Sequence, residues 1–104
     1  MKIYMIRKTL ENEVKEYASA GLTFSTKSSK GWGRKGNIKN AIACRAYNFG
    51  SRWDKSNTEC FLAWLEWESK GGKYSIDVLE IDIDNVTITE TPILDWYNEN
   101  MKKD

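Results

Sequence analysis

The sequence predicts a small α+β domain: a mainly antiparallel sheet with two central helices and a C-terminal helix. Three patterns carry this expectation. A continuous apolar run, Ile3-Tyr4-Met5-Ile6, opens the chain; Leu79, Ile81 and Ile83 alternate with Glu80, Asp82 and Asp84 in its last third; and two segments between them repeat apolar residues at helical spacing. With 104 residues, 40% apolar and 12% aromatic, the chain forms a single domain, 1–104, that can bury one core. It is too short for a doubly wound dinucleotide fold or a (β/α) barrel.

The first strand is read at 2–7, its apolar run suiting a strand buried on both faces in the middle of a sheet. From Lys8 to Gly21 the chain is polar, with Glu11, Glu13 and Glu16 near Lys15, and reads either as a helical turn or two or as a loop. Leu22-Thr23-Phe24-Ser25-Thr26 reads as a second, short strand, followed by a polar turn through Gly31. Asn37 as N-cap, the spacing of Ile38, Ala41, Ile42 and Phe49, and Gly50 as C-terminal residue predict a helix over about 37–49.

Ser56-Asn57-Thr58-Glu59 matches a capping box ahead of Phe61, Trp64, Leu65 and Glu68, which predicts a second helix over about 57–69. A strand is the rival there, because Phe61, Ala63, Leu65 and Trp67 also alternate. The alternating run 79–83 is a half-buried strand, and a two-residue turn at Asp84-Asn85 would set Ile83 against Val86 and Ile81 against Ile88. A single bulged strand is the alternative. Thr91-Pro92 then offers a cap and a first-turn proline to an amphipathic helix of Ile93, Leu94, Tyr97 and Met101.

Several functions are disfavoured at once. The chain has no histidine, so it lacks the commonest general base, the usual partner of a nucleophilic serine or cysteine, and the commonest zinc ligand. Cys44 and Cys60 lie outside any C-x-x-C spacing and read as buried free thiols. Glu66 with Glu68, and Asp82 with Asp84, are carboxylates two apart, a pattern that ordinarily marks a solvated face rather than an acid and base pair. The expectation is a protein without enzymatic activity and without a cofactor. No run of about 18 apolar residues and no signal-peptide pattern occurs, so no membrane association is expected and a cytoplasmic location is the default.

The net charge of +1 conceals a separation along the chain. Residues 1–53 hold eleven Lys and Arg against three Asp and Glu, about +8, whereas residues 54–104 hold five against twelve, about −7. Either the halves pack so that opposite charges interleave, or they face apart and leave a positive and a negative side to steer a partner.

Gly31-Trp32-Gly33-Arg34-Lys35-Gly36 matches G-x-G-x-x-G, but no apolar strand runs into it and no second nucleotide-binding half exists. The P-loop pattern fails too, because Asn37-Ile38 follows Gly36. What survives is more general: glycines and backbone amides at a helix start beside Lys27, Lys30, Arg34, Lys35 and Lys39 suit an anion, and Trp32 could give a flat face for a base or a protein anchor. The plainer alternative has Trp32 covering the core edge. Five tryptophans, Trp32, Trp53, Trp64, Trp67 and Trp96, are many for this length; Trp64 reads as core and Trp67 as marginal.

The order Lys2-Ile3-Tyr4-Met5-Ile6-Arg7, Leu22-Thr23-Phe24-Ser25-Thr26, Gly31-Trp32 and Gly36-Asn37-Ile38-Lys39-Asn40 resembles small uncharacterised proteins encoded by tailed bacteriophages. The resemblance covers about the first half of the chain, and the stretch from Gly50 to Gly72 departs from it. It implies an accessory protein that modulates a host process by binding, and it carries no site residues. The leading expectation is therefore a binding protein that engages a host macromolecule, a protein first of all, in the cytoplasm of the host cell. The alternative is nucleic-acid binding by the basic segment 27–52, with Lys27, Lys30, Trp32, Arg34, Lys35 and Lys39 as the contact residues.

Overall fold

The computed structural model describes residues 1–27, 29–49 and 55–102. In chain order the elements are β1 (Lys2–Thr9), β2 (Lys15–Ala18), β3 (Phe24–Ser25), α1 (Lys35–Ala46), α2 (Asn57–Glu68), β4 (Ser75–Asp82), β5 (Thr87–Pro92) and α3 (Ile93–Asn100). The five strands form one antiparallel sheet of order β3-β2-β1-β4-β5, and with the three helices this makes a small α+β fold.

The apolar start of the chain does take the centre of the sheet. β1 pairs with β4 along its whole length, from Lys2 opposite Asp82 to Thr9 opposite Ser75. Its two faces are not equivalent, however. Side chains alternate across a strand, so Tyr4, Ile6 and Lys8 point with Val78 and Ile76 into the buried side, whereas Ile3 and Met5 are only half-buried on the other.

The helices cover the first of these faces. α1 buries Ile38, Ile42 and Ala46, spaced four apart along one stripe; α2 buries Cys60, Phe61 and Trp64; and α3 buries Ile93, Trp96 and Tyr97. The rings of Phe61 and Tyr97 stack at 3.9 Å between centroids and join α2 to α3.

Five expectations are corrected in detail. The polar stretch after β1 is neither helix nor loop alone: a tight turn, closed by the Leu10 N–H donating to the Val14 carbonyl with Glu13 at φ 66°, returns the chain as β2. Cross-strand bonding to Arg7, Lys8 and Thr9 here outweighs the helical leaning of the glutamates. The second strand shrinks to Phe24–Ser25, because Leu22 adopts φ 57° and turns its fully buried side chain into the core. α1 starts at Lys35 with Arg34 as N-cap, not at Asn37, and ends at Ala46, where Asn48 Nδ2 donates to the Cys44 carbonyl. Gly50 and Trp53 lie outside the described residues.

The β4–β5 hairpin keeps the expected pairing of Ile81 with Ile88, but its turn spans four residues, Ile83 to Val86, so Ile83 and Val86 do not pair. The cause is Asp82. Its carboxylate accepts from the backbone N–H groups of Asp84 and Asn85 and from Asn85 Nδ2, which closes a wider loop and holds the Asp82 carboxyl below the usual range. Thr91 stays in β5 and caps nothing; Pro92 is the N-cap of α3, and Trp96 rather than the exposed Leu94 completes its buried stripe.

At α2 the expectation holds: Ser56 Oγ accepts from the Glu59 N–H while the Glu59 carboxylate accepts from the Ser56 N–H. This reciprocal cap decides against the strand.

Candidate interaction surface

The chain from Lys30 to Lys39 is placed by its own backbone hydrogen bonds. Beyond β3 the chain runs back beside β1, where β2 has ended: the Lys30 N–H donates to the Ala18 carbonyl, and Trp32 and Tyr4 exchange both backbone bonds at 2.8 Å. Close approach explains the glycine between them. A Cβ on Gly31 would stand 2.8 Å from Ile3 Cγ2, a branched methyl with little room to retreat, whereas a Cβ on Gly33 meets nothing within 4 Å. Gly31→Ala is expected to cost about 1–3 kcal/mol by overpacking, and Gly33→Ala to change stability by less than about 0.5 kcal/mol; urea unfolding of the two variants checks the contrast.

Pairing with Tyr4 puts the Trp32 side chain on the helix side of the sheet, where it is buried to 6% exposure. The stacking role expected for it is therefore corrected in favour of the plainer alternative: Trp32 is core, with too little of its ring exposed to stack on. The five cations differ. Lys27, Lys30, Arg34 and Lys35 are exposed, Lys39 is half-buried, and none of the five forms an ion pair among the described residues. Arg52 lies outside the described residues.

The sheet shows the opposite arrangement. Lys2 pairs with Glu80 at 3.0 Å, Arg7 with Asp77 at 3.3 Å and with Glu90 at 2.6 Å, Lys8 with Glu68 at 2.7 Å, and the terminal amine of Met1 with Asp84. Burial pulls the Arg7 guanidinium down, but its hydrogen bonds to Glu90 and Asp77 outweigh this and hold it above its ordinary value. A hydrogen bond to Glu80 likewise raises Lys2. The early cations and late anions thus interleave on the sheet, while the cations around the start of α1 are left over.

That leftover charge is badly placed for the helix itself. The first turn of α1 contains no acidic residue, Arg34 makes no side-chain cap, and Arg34 and Lys35 sit at the positive end of the helix dipole. Each such charge costs about 0.3–1 kcal/mol, a cost that an anion placed there would remove.

Two further groupings were not legible in the sequence. Tyr47, Tyr97 and Thr58 link three helices by hydroxyl bonds, Tyr47 to Tyr97 at 2.9 Å and Thr58 to Tyr97 at 3.2 Å, at the floor of a groove of about 510 Å³ that Lys39 also lines. Burial first, and the bond to Tyr97 second, push the Tyr47 phenol up, so it is a neutral hydrogen-bonding group and not a base. On the α1–α2 surface, Trp67 is 56% exposed, with the Arg45 guanidinium 5.9 Å from its ring centroid and Phe49 at 5.5 Å. Of the two cysteines only Cys60 is buried; Cys44, expected inside, is exposed on α1.

Among the described residues no helix is long and apolar enough to cross a membrane. No family model, curated protein or solved structure matches the chain.

Proposed function

We propose that the chain is a non-enzymatic accessory protein of the tailed-bacteriophage kind, which binds and modulates a host protein in the cytoplasm of the bacterial host cell. It meets an acidic surface of that protein with Lys27, Lys30, Arg34, Lys35 and Lys39. One observation carries the reading: among the described residues these cations form no ion pair, around a helix start without a side-chain cap, while the cations of β1 are paired with carboxylates of β4, β5 and α2. Exposed Trp67 beside Arg45 adds the residue types that anchor protein interfaces. The bacteriophage element rests on the resemblance of the first half of the chain.

A second reading keeps the same cations and replaces the acidic protein by a nucleic acid. With Trp32 buried, it would be held by phosphate contacts without base stacking. One set of measurements separates the two. Full-length protein is passed through bacterial lysate and, separately, mixed with duplex and single-stranded DNA and RNA at low salt, alongside Arg34→Ala/Lys35→Ala. The expected result is a stoichiometric protein partner whose affinity the double variant weakens about tenfold, mainly through slower association. Retention on nucleic acid, with the double variant lowering the slope of log affinity against log salt by about 2, selects the second reading. Binding to neither by well-folded protein overturns both.

A further inference from the structure

β5 (Thr87–Pro92) is the outermost strand of the sheet, bonded to β4 and to no other strand among the described residues. The opposite edge, β3, is two residues long, so among the described residues β5 is the longer edge strand. An open edge offers unpaired N–H and C=O groups to any other strand, and proteins commonly blunt it with lysine, proline or a bulge. β5 has no lysine, and its proline comes only at the last position; before that it reads Thr-Ile-Thr-Glu-Thr, β-branched at every residue but Glu90.

Its exposed side chains continue a pattern from inside the sheet. On the face away from the helices, Ile3 lies opposite Ile81 and Ile81 opposite Ile88, a row of isoleucines across three strands that ends at the edge with Ile88 62% exposed.

We propose that β5 is the seam of a homodimer, in which two copies pair antiparallel, edge to edge, about a two-fold axis through Ile88. Thr87-Ile88-Thr89 reads the same in both directions, so this register sets Ile88 against the partner's Ile88 and Thr87 against the partner's Thr89. β-branched pairs of this kind are favourable across strands, and the isoleucine row runs unbroken through both sheets. Charge permits it. Glu90, the one ionised side chain on β5, is held by Arg7 at 2.6 Å and comes to face the partner's Val86, not the partner's Glu90. A shift of the axis to Thr89 would set Ile88 against the partner's Glu90 and interrupt the row.

A six-residue seam is about 20 Å long and buries less than the roughly 1,600 Å² of a standard stable interface. The dimer is therefore expected to be weak and exchanging. The seam lies at the far edge of the sheet from Lys27–Lys39, so it stands or falls independently of the proposed function.

Sedimentation of the full-length protein over a concentration series, from roughly micromolar to millimolar, tests the seam together with amide hydrogen exchange read by NMR. The expected result is a mass rising from 12.1 kDa toward twice that value, with alternate β5 amides exchanging more slowly at high concentration. Ile88→Lys, a change at an exposed site, should weaken self-association at least about a hundredfold and leave the folded spectrum intact, while Ile88→Val should retain the dimer. A chain monomeric at every concentration overturns the proposal. So does a dimer that Ile88→Lys leaves intact, since the contact is then elsewhere. If Ile88→Lys were to unfold, the wild-type exchange pattern decides: no concentration-dependent protection in β5 means no seam there.

Discussion

Glu68→Leu is expected to destabilise the protein by about 3–5 kcal/mol, because it leaves a buried ammonium without its counter-ion. Lys8 stands on the helix side of the central strand at 7% exposure, its Nζ 2.7 Å from Glu68 Oε2 at the end of α2. Two rings also face it, Phe24 at 4.5 Å and Tyr74 at 5.8 Å from Nζ to centroid. Aromatic faces attract a cation by about 2 kcal/mol at most in a desolvated site, which does not replace a carboxylate. Lys8→Met combined with Glu68→Leu should recover most of the loss, since apolar residues of similar volume can fill the place of a buried ion pair at little or no cost. Urea unfolding of both single variants and the double completes the thermodynamic cycle. A loss below about 1 kcal/mol for Glu68→Leu, the value of a solvated surface pair, would refute the buried-pair account.

Trp64→Ala should cost about 3–5 kcal/mol, whereas Trp64→Phe should cost far less than its loss of volume suggests. Trp64 is fully buried in α2 against Phe61, and its indole Nε1–H has no acceptor among the described residues. An orphaned buried donor costs about 1–3 kcal/mol. Phenylalanine removes that donor while keeping a ring in the core, so the two effects oppose each other and the net change is expected within about 1 kcal/mol. Thermal and urea unfolding of both variants distinguishes the outcomes. If Phe proves as damaging as Ala, the indole N–H is satisfied in solution and its lost hydrogen bond, not the volume of the ring, governs the site.

What could be read ahead of the coordinates was whatever depends on neighbours in sequence. The capping box at Ser56 and Glu59 is local chemistry, and it resolved a helix where alternation also allowed a strand. The match of Ile81 to Ile88 needed only period-two spacing and a nearby turn, and it survived a turn two residues longer than expected. Between a stacking face and a core edge for Trp32 the sequence does not choose, because its burial depends on Tyr4, brought alongside by the end of β2; nothing in Gly31-Trp32-Gly33 reveals that partner. Glu68 looked like one of a solvated pair for the same reason, since Lys8 lies 60 residues away in sequence. The charge segregation was visible, but which cations would be neutralised followed only from the register of β1 on β4.

That register also sets when the protein can fold as it leaves the ribosome. The central strand is synthesised before its neighbours, yet the strand that flanks it on one side along its whole length follows much later: Arg7 and Asp77 are 70 residues apart. Until β4 has emerged from the exit tunnel, the apolar run of β1 has only the short β2 hairpin and the Trp32 bridge beside it. Nascent chains of this topology gain their native sheet late and in one step, and slow loop closure over such a distance makes folding slower than in a helical domain of equal size. Ile3, Tyr4, Met5 and Ile6 are therefore the residues through which an incomplete chain would engage chaperones or associate wrongly.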